Sequence, residues 1–268
     1  RSRERPGLAP KTIVVLPVYN EEKMLAAILG RISPRADMVV CVNDGSSDQS
    51  PRILERFARG RRGTYVIHQG RNSGMAGALK TGFEFVLYLV SQGQAGPEDL
   101  VVTIDADGQH KPEYIPKLTA YLRRRGLDVV LTRRDFSVYP LYKIWGNRFL
   151  TWTNSILSGI PYRDVESGLR LLKVKTLEPI LRYYTGVKYS CAQEIAFITA
   201  RQGFKIDNDF KVEIAYYRAG TTVWDGFIVL ALSFYTFLRW RLGLGRRQAP
   251  RTALMSRSFR RSRRLWGK

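Results

Sequence analysis

The 268 residues carry 44 Lys and Arg against 23 Asp and Glu, a formal charge of +21, and 44% of them are apolar. That length and apolar share suit one large folded domain, or a domain with an appendage, and exclude a chain too polar to build a core. The two cysteines, Cys41 and Cys191, lie far apart and in no metal-ligand spacing, which excludes a disulfide framework and a structural zinc site and points to a reducing, cytosol-facing compartment.

Residues 1–11, RSRERPGLAPK, lack the apolar run of a secretory signal and read as an N-terminal extension; the first residue is not Met, which leaves room for further sequence before it. From Thr12 to about Leu131 short β-branched runs alternate with amphipathic stretches of helical length. "TIVVLPVYN", "DMVVCVND", "TYVIHQG", "DLVVTIDAD" and "LDVVLTRR" read as strands, with helices beginning near Glu21, Asp48, Gly74 and Glu113. Strands apolar on both faces and separated by helices predict an α/β fold with a mostly parallel sheet covered on both sides. In such sheets ligands bind beyond the C-terminal strand ends, where the strand order reverses. The unusual residues collect at those ends: Pro17, Tyr19, Asn20 and Glu21 after the first strand, Asn43 and Asp44 after the second, Asp105 and Asp107 after the fourth. One cleft served by three strand ends is the expectation.

In "TIDADGQH" the carboxylates of Asp105 and Asp107 are two residues apart and share one side of an extended segment. Two close carboxylates repel unless a cation or a shared proton relieves them. With no His or Cys cluster beside them, one reading is oxygen ligation of Mg²⁺ or Mn²⁺, with Gln109 as a further donor; the other is an Asx-type turn capping the next helix. Asp44, in "NDGSSD", is open to a base or ribose, whereas Asp48 reads as a helix cap. "GRNSGMAGALKTGF" supplies a small-residue helix start that brings backbone N–H groups near a phosphate, without a dinucleotide or P-loop pattern.

Beyond residue 140, "YKIWGNRFLTWTNSILSG" has helical periodicity, "RDVESGLRLLK" mixes turn and strand signals, and "CAQEIAFITARQG" is amphipathic. Phe227 to Leu238 is apolar almost all round but far shorter than the roughly 20 residues of a spanning helix, so 226–245 reads as an interfacial helix. No acid follows Asp225, while Arg246, Arg247, Arg251, Arg257, Arg260, Arg261, Arg263, Arg264 and Lys268 crowd the end. Residues 246–268 therefore read as a basic, disordered tail suited to an anionic membrane surface. Nucleic acid is the weaker partner, because only Phe259 and Trp266 interleave these charges.

Taken in order, "VVLPVYNEE", "VNDGSSDQS", "GRNSGMAGALKTGF", "TIDADGQHKPEYIPKL" and "DVESGLRLLK" resemble the family-two glycosyltransferases of GT-A (Rossmann-like) fold, and within them the dolichyl-phosphate mannose synthase-like polyprenyl-phosphate glycosyltransferases. The resemblance makes 12–225 the catalytic domain. It implies nucleotide contacts from Pro17, Tyr19, Glu21, Val42, Asp44, Asp105 and Ala106, and a metal at Asp107 and Gln109. Arg134 matches a phosphate-binding arginine, and Arg218 in "YYRAGTT" a second, although the spacing to Gly220 is shorter than the family's. Asp164, Ser167, Gly168 and Arg170 fall on the acceptor side, and Glu194 where the family carries a helix acid able to face the sugar; Asp107, Arg134, Asp164 and Glu194 become the catalytic candidates. The implied reaction is a metal-dependent, inverting transfer of a hexose, mannose or glucose, from a GDP- or UDP-sugar to a polyprenyl (dolichyl-type) phosphate, by an enzyme docked peripherally on the cytoplasmic face of a membrane. Such an acceptor is already largely ionised at neutral pH, its second pKa being about 6, and needs no strong base. The alternative, a soluble transferase acting on a sugar or protein hydroxyl, does need one.

Overall fold

A computed structural model describes residues 9–136, 141–214 and 223–245. The β-branched runs form β1 (Thr12–Val18), β2 (Met38–Asn43), β3 (Thr64–His68), β4 (Leu100–Thr103) and β5 (Val129–Leu131). The amphipathic stretches between them form α1 (Glu22–Ile32), α2 (Ser50–Gly60), α3 (Gly74–Ser91) and α4 (Tyr114–Arg125). Every residue of β2 and β4 is buried, the signature of strands covered on both faces. The cores on the two faces differ. Leu25, Ile28 and Leu29 of α1 and Leu118 and Leu122 of α4 pack with Val14, Leu16 and Val102 on one face. On the other, Leu79, Phe83 and Val86 of α3 pack with Val15, Val40 and Val101.

The chain then adds β6 (Arg133–Arg134), α5 (Leu141–Ser158), β7 (Arg170–Lys173), α6 (Leu177–Tyr183), α7 (Cys191–Arg201), β8 (Ile206–Asp207), β9 (Lys211–Val212) and α8 (Val223–Arg241). The main sheet has the order β3-β2-β1-β4-β7-β5-β8. All its pairings are parallel except those of β7, which runs antiparallel to both β4 and β5. β6 and β9 form a separate two-stranded ribbon. Since β2 and β3 lie on one side of β1 and β4 on the other, the order reverses between β1 and β4, which opens the crevice that such sheets use for ligands.

The helix read over 226–245 runs from Val223 to Arg241 and packs on α5, α6 and α7, with Phe237 and Trp240 edge-on to Phe197. Its inward face is buried at Val229, Ser233, Thr236 and Arg239, while Trp224, Phe227, Phe234, Tyr235 and Leu238 stay exposed. Among the described residues no helix is long and apolar enough to cross a membrane. The tail over 246–268 and Arg218 lie outside the described residues.

Candidate active site

The crevice is built by backbone turns that only certain residues can make. After β1, Asn20 takes a left-handed conformation with φ of 54° and donates its N–H to Ser46 Oγ at 3.0 Å, which turns Tyr19 and Glu21 toward the opening. Asp48 accepts from Glu22 N at 3.0 Å and from Ser50 N at 2.9 Å, so one carboxylate caps the starts of α1 and α2 together, as its position in "NDGSSD" suggests. Gly45, at φ of +74°, has its Cβ position 2.9 Å from Asn72 N, so the turn after β2 and the loop before α3 touch only because no side chain intervenes.

The cleft that results is lined by Pro17 near the end of β1, Tyr19 and Glu21 after it, Asp44 after β2, Asn72, Gly74, Met75 and Ala78 at the start of α3, Asp105, Ala106 and Asp107 after β4, and Tyr189 ahead of α7. Seven of the residues that the resemblance implicates, Pro17, Tyr19, Glu21, Asp44, Asp105, Ala106 and Asp107, thus meet in one place. Val42 does not join them: its side chain is fully buried in the core beneath. Asn72 and Met75 belong to the "GRNSGMAGALKTGF" helix start, whereas Tyr189 carries no distinctive sequence signal and reaches the cleft through the packing of the α3 start against the loop at Lys188, whose carbonyl accepts Ala76 N at 2.8 Å.

Asp44 is 3% exposed. Its Oδ1 lies 2.8 Å from both Ser73 N and Ser73 Oγ, and its Oδ2 has no partner among the described residues. Burial and then the charge of Asp107 push Asp105 up to about 7, against the pull of the Arg170 and Arg134 guanidiniums. Asp107 is likewise raised by burial, against hydrogen bonds from Gln109. Those bonds run from Gln109 N to Asp107 Oδ1 at 2.9 Å and from Gln109 Nε2 to Oδ2 at 2.8 Å. The two readings of the motif therefore coexist: Asp107 closes an Asx-type turn and also lines the cleft. A pair of carboxylates whose ionisation burial and mutual repulsion discourage fits a hard divalent cation, which would relieve both and take further ligands from phosphate and water. Asp105 and Asp107 would hold it. No group of three His, Cys, Asp or Glu suited to a metal exists among the described residues, so the protein's share of such a coordination shell is small.

A second constellation stands behind this floor. Antiparallel pairing sets Arg170 of β7 opposite Thr103 of β4, and Thr103 Oγ1 donates to Gly168 O at 2.9 Å. Arg170 is 2% exposed, and its Nε and Nη1 find no hydrogen-bond partner among the described residues. Its charge is nonetheless felt by Asp105. Asp164 accepts from Arg134 N and Nε at 2.9 Å each and from Nη2 at 3.0 Å, and Arg134 Nη2 also reaches Asn147 Oδ1 of α5 at 2.7 Å. Burial opposes the ionisation of Asp164, but the Arg134 charge and hydrogen bonds outweigh it and hold the carboxyl below its ordinary range. Asp164 is therefore the residue that positions Arg134. Ser167 is buried against Thr132, their hydroxyls 2.6 Å apart.

Glu194 departs most from expectation. Rather than facing the cleft it accepts from Thr185 N at 3.0 Å, Thr185 Oγ1 at 2.6 Å and, across to α8, Thr236 Oγ1 at 2.8 Å. The start of α7 points this side chain inward against α8, and burial raises its pKa. The motif instead offers Glu166, half-buried and raised by burial, whose Oε1 accepts from Gln193 Nε2 at 2.6 Å.

Proteins of known name are similar to this chain in sequence or in fold. A UDP-N-acetylglucosamine–dolichyl-phosphate N-acetylglucosaminyltransferase from Methanococcus voltae is 26% identical over 88% of this chain and 98% of its own length. An undecaprenyl-phosphate mannosyltransferase from Micrococcus luteus is 28% identical over 73% of this chain and 80% of its own. Among solved structures, glucosyl-3-phosphoglycerate synthase from Mycobacterium tuberculosis, in complex with Mn²⁺, UDP-glucose and phosphoglyceric acid, superposes with a TM-score of 0.63 at 16% identity, over 87% of this chain and 85% of that one, and so shares the GT-A fold. The family model described as glycosyl transferase family 2 matches residues 13–177, more than half the chain and most of the stretch that builds the cleft, and the chain belongs to that family of glycosyltransferases.

Proposed function

We propose that this glycosyltransferase moves a hexose from a uridine-diphosphate donor to a polyprenyl phosphate at a membrane face, with Mg²⁺ or Mn²⁺ held at Asp105 and Asp107. The observation that carries the acceptor class is the disposition of the acids. Asp164 is committed to Arg134 and Glu194 to Thr185 and Thr236, while Asp44, Asp105 and Asp107 line the donor cleft, so these five carboxylates are not set out as a general base. A phosphate acceptor is ionised without one. The acceptors named for the Methanococcus voltae and Micrococcus luteus relatives, both polyprenyl phosphates, support the same class.

The donor base follows from Asp44. With Oδ1 already between Ser73 N and Oγ, one oxygen remains for a ligand. Uracil presents a single ring N–H between two carbonyls, whereas guanine's Watson–Crick edge presents two adjacent donors that call for both oxygens. Asn72 Oδ1 accepts Gly74 N at 2.8 Å, which leaves its amide N–H groups to meet a uracil carbonyl. In the transfer an acceptor phosphate oxygen attacks the sugar C1 in line as the bond to the nucleoside diphosphate breaks, inverting the anomeric centre. The divalent cation, when bound, neutralises charge on the departing diphosphate. Arg134, fixed by Asp164, and buried Arg170 supply positive potential that needs no rearrangement during the step.

A second reading is favoured by Glu166, whose raised pKa and place in the acceptor-side loop would suit a general base for a hydroxyl acceptor. The test incubates the protein with Mn²⁺ and labelled UDP-glucose, UDP-N-acetylglucosamine or GDP-mannose, with and without polyprenyl phosphate, and counts label entering the organic phase. Metal- and lipid-dependent transfer, from a UDP-sugar and little changed in Glu166→Gln, is the expected result. Transfer only to soluble sugars or proteins, lost by about 10²–10⁴-fold in Glu166→Gln, would establish the hydroxyl reading instead.

A further inference from the structure

We propose that His68 is a positioning residue of the donor site, whose neutral ring holds Asn43 and through it the turn that aims Tyr19 and Glu21 into the cleft. β2 and β3 end on a facing pair, Asn43 and His68. Asn43 is 4% exposed, and both ends of its side-chain amide are engaged. Oδ1 accepts Ser46 N at 3.1 Å, which closes the turn that follows Asp44. Ser46 Oγ in turn accepts Asn20 N at 3.0 Å, and Asn20 Oδ1 accepts Ser47 N at 2.9 Å, so the loops after β1 and β2 hold each other. The other end of the amide, Nδ2, lies 3.0 Å from His68 Nδ1. The next residue braces Asp44 from its far side: Gln69 N donates to Asn43 O at 2.9 Å, and Gln69 Oε1 lies 2.8 Å from the Ser73 hydroxyl that sits beside Asp44 Oδ1.

Counting donors and acceptors fixes the state of the ring. Ser46 N can only donate, so Asn43 presents its oxygen there and its NH2 to His68. That NH2 can only donate, so Nδ1 offers a lone pair and the ring proton sits on Nε2. Nε2 faces Glu55 Oε1 of α2 at 3.7 Å. Arg52 and Arg59 lie one turn to either side of Glu55, and Arg52 Nη1 donates to Gln49 Oε1 at 3.2 Å. β2 brings Asn43 and, deeper on the same face, Cys41, whose thiol burial pushes up to about 12 and keeps neutral. A proton on Nδ1 would set two donors against each other. The amide would then turn over and release Ser46 N, or the ring would swing toward the Glu55 carboxylate and release Asn43. Solvent protons have access, because β3 is an edge strand and the His68 side chain is 40% exposed. Imidazole is the side chain whose charge changes between about pH 5 and pH 8. His68 does not line the cleft, so it acts on the donor only through Asn43 and the Ser46 turn.

The experiment titrates UDP with Mn²⁺ by calorimetry between pH 8 and pH 5 for wild type, His68→Asn and His68→Leu. Asparagine Oδ1 is bonded to Cγ as histidine Nδ1 is, and it accepts at every pH; leucine offers no acceptor. The ratio of wild-type to His68→Asn affinity cancels the titration of Asp105 and of the nucleotide phosphate, which both proteins share. It is expected to stand near one at pH 8 and to fall about three- to tenfold by pH 5, the contribution of one hydrogen bond. His68→Leu is expected to bind more weakly than His68→Asn by a similar factor already at pH 8. A ratio constant across this range would overturn the proposal, as would His68→Leu binding as tightly as His68→Asn. Long-range ¹H–¹⁵N spectra of the ring give a reading without any ligand: the Nε2–H tautomer is expected at pH 8, and Nδ1–H would overturn the assignment. The inference rests on the cleft being the donor site of the proposed reaction, so GDP is titrated beside UDP. Binding of GDP alone would refute the proposed donor and leave the His68 comparison to be read with GDP, and binding of neither would overturn both.

Discussion

A methyl group at position 168 would sit 2.7 Å from Asp105 Cγ, inside contact distance of a carboxylate that forms the floor of the cleft. The backbone there is not left-handed, so alanine is tolerated by the chain and the collision falls on Asp105 alone. Gly168→Ala is therefore expected to weaken Mn²⁺ and UDP binding by about tenfold or more, about 1.4 kcal/mol, while leaving thermal stability nearly unchanged; calorimetric titration against a melting curve separates the two. Unaltered binding would mean that Asp105 can rotate away at no cost to the site. At this scale the sequence is informative where function and strand ends coincide. Pro17, Tyr19, Glu21, Asp44 and the Asp105–Asp107 run are legible because polar residues have no other reason to end buried strands. Tyr189 is illegible because tertiary packing, not its own type, brings it to the cleft. Ser167 and Glu194 mislead for a related reason: a motif records that a polar atom is needed, but it does not say whether that atom faces a ligand or another helix.

The bond set around Glu194 gives the loop after α6 and the helix α8 a common anchor. Thr185 binds it from the loop that carries Tyr189 into the cleft, Thr236 from α8, and Arg239 Nη1 adds a bond to Tyr183 O at 3.0 Å. Truncation to alanine would strip acceptors from the buried Thr236 hydroxyl and from two donors of the half-buried Thr185, at up to about 1–3 kcal/mol each where no substitute is found. Glutamine keeps an acceptor for Thr185 N, and its amide can donate to hydroxyls that rotate to accept. Because burial raises the folded-state pKa of Glu194 above its unfolded value of about 4.3, its contribution to stability is fully present below that pH and is lost as pH rises through the folded pKa. Glu194→Gln carries no charge and has no such loss. Denaturant unfolding should thus find the glutamine variant gaining on wild type between pH 4 and pH 8, and the alanine variant less stable at both; a pH-independent difference would show that burial does not shift this carboxyl. Elements with strong periodicity, β1 to β5 and α1 to α4, are readable from pattern alone. β7 is not, because four residues in a turn-rich stretch say nothing about direction, and its antiparallel insertion is what brings Gly168 and Arg170 beside Asp105.

For the molecule as a whole, the charge of +21 serves two different encounters, and salt should separate them. In the proposed reaction donor binding would depend on short contacts to Asp44 and on a cation held at Asp105 and Asp107, groups that are largely shielded from bulk ions. Docking on an anionic vesicle, as the proposed lipid acceptor requires, would depend on basic residues exposed to solvent, such as Arg148 and Arg241, and these are screened once the Debye length, about 10 Å at 0.1 M, shrinks toward 3 Å at 1 M. Each basic residue near an anionic surface contributes about 1 kcal/mol at physiological ionic strength, so several lost together amount to orders of magnitude in partitioning. Raising salt from 0.1 M to 1 M is expected to abolish most flotation with anionic vesicles and to change UDP affinity only several-fold. Exposed aromatic side chains such as Trp145 and Trp152 of α5 and Phe234 and Tyr235 of α8 would set the part of binding that survives, since apolar burial is not screened. If both activities fell in parallel, the cleft would be reading the same long-range field as the surface. The cleft and the docking face would then be electrostatically one site, and a lipid surface that drew the protein in would also raise or lower its hold on the donor.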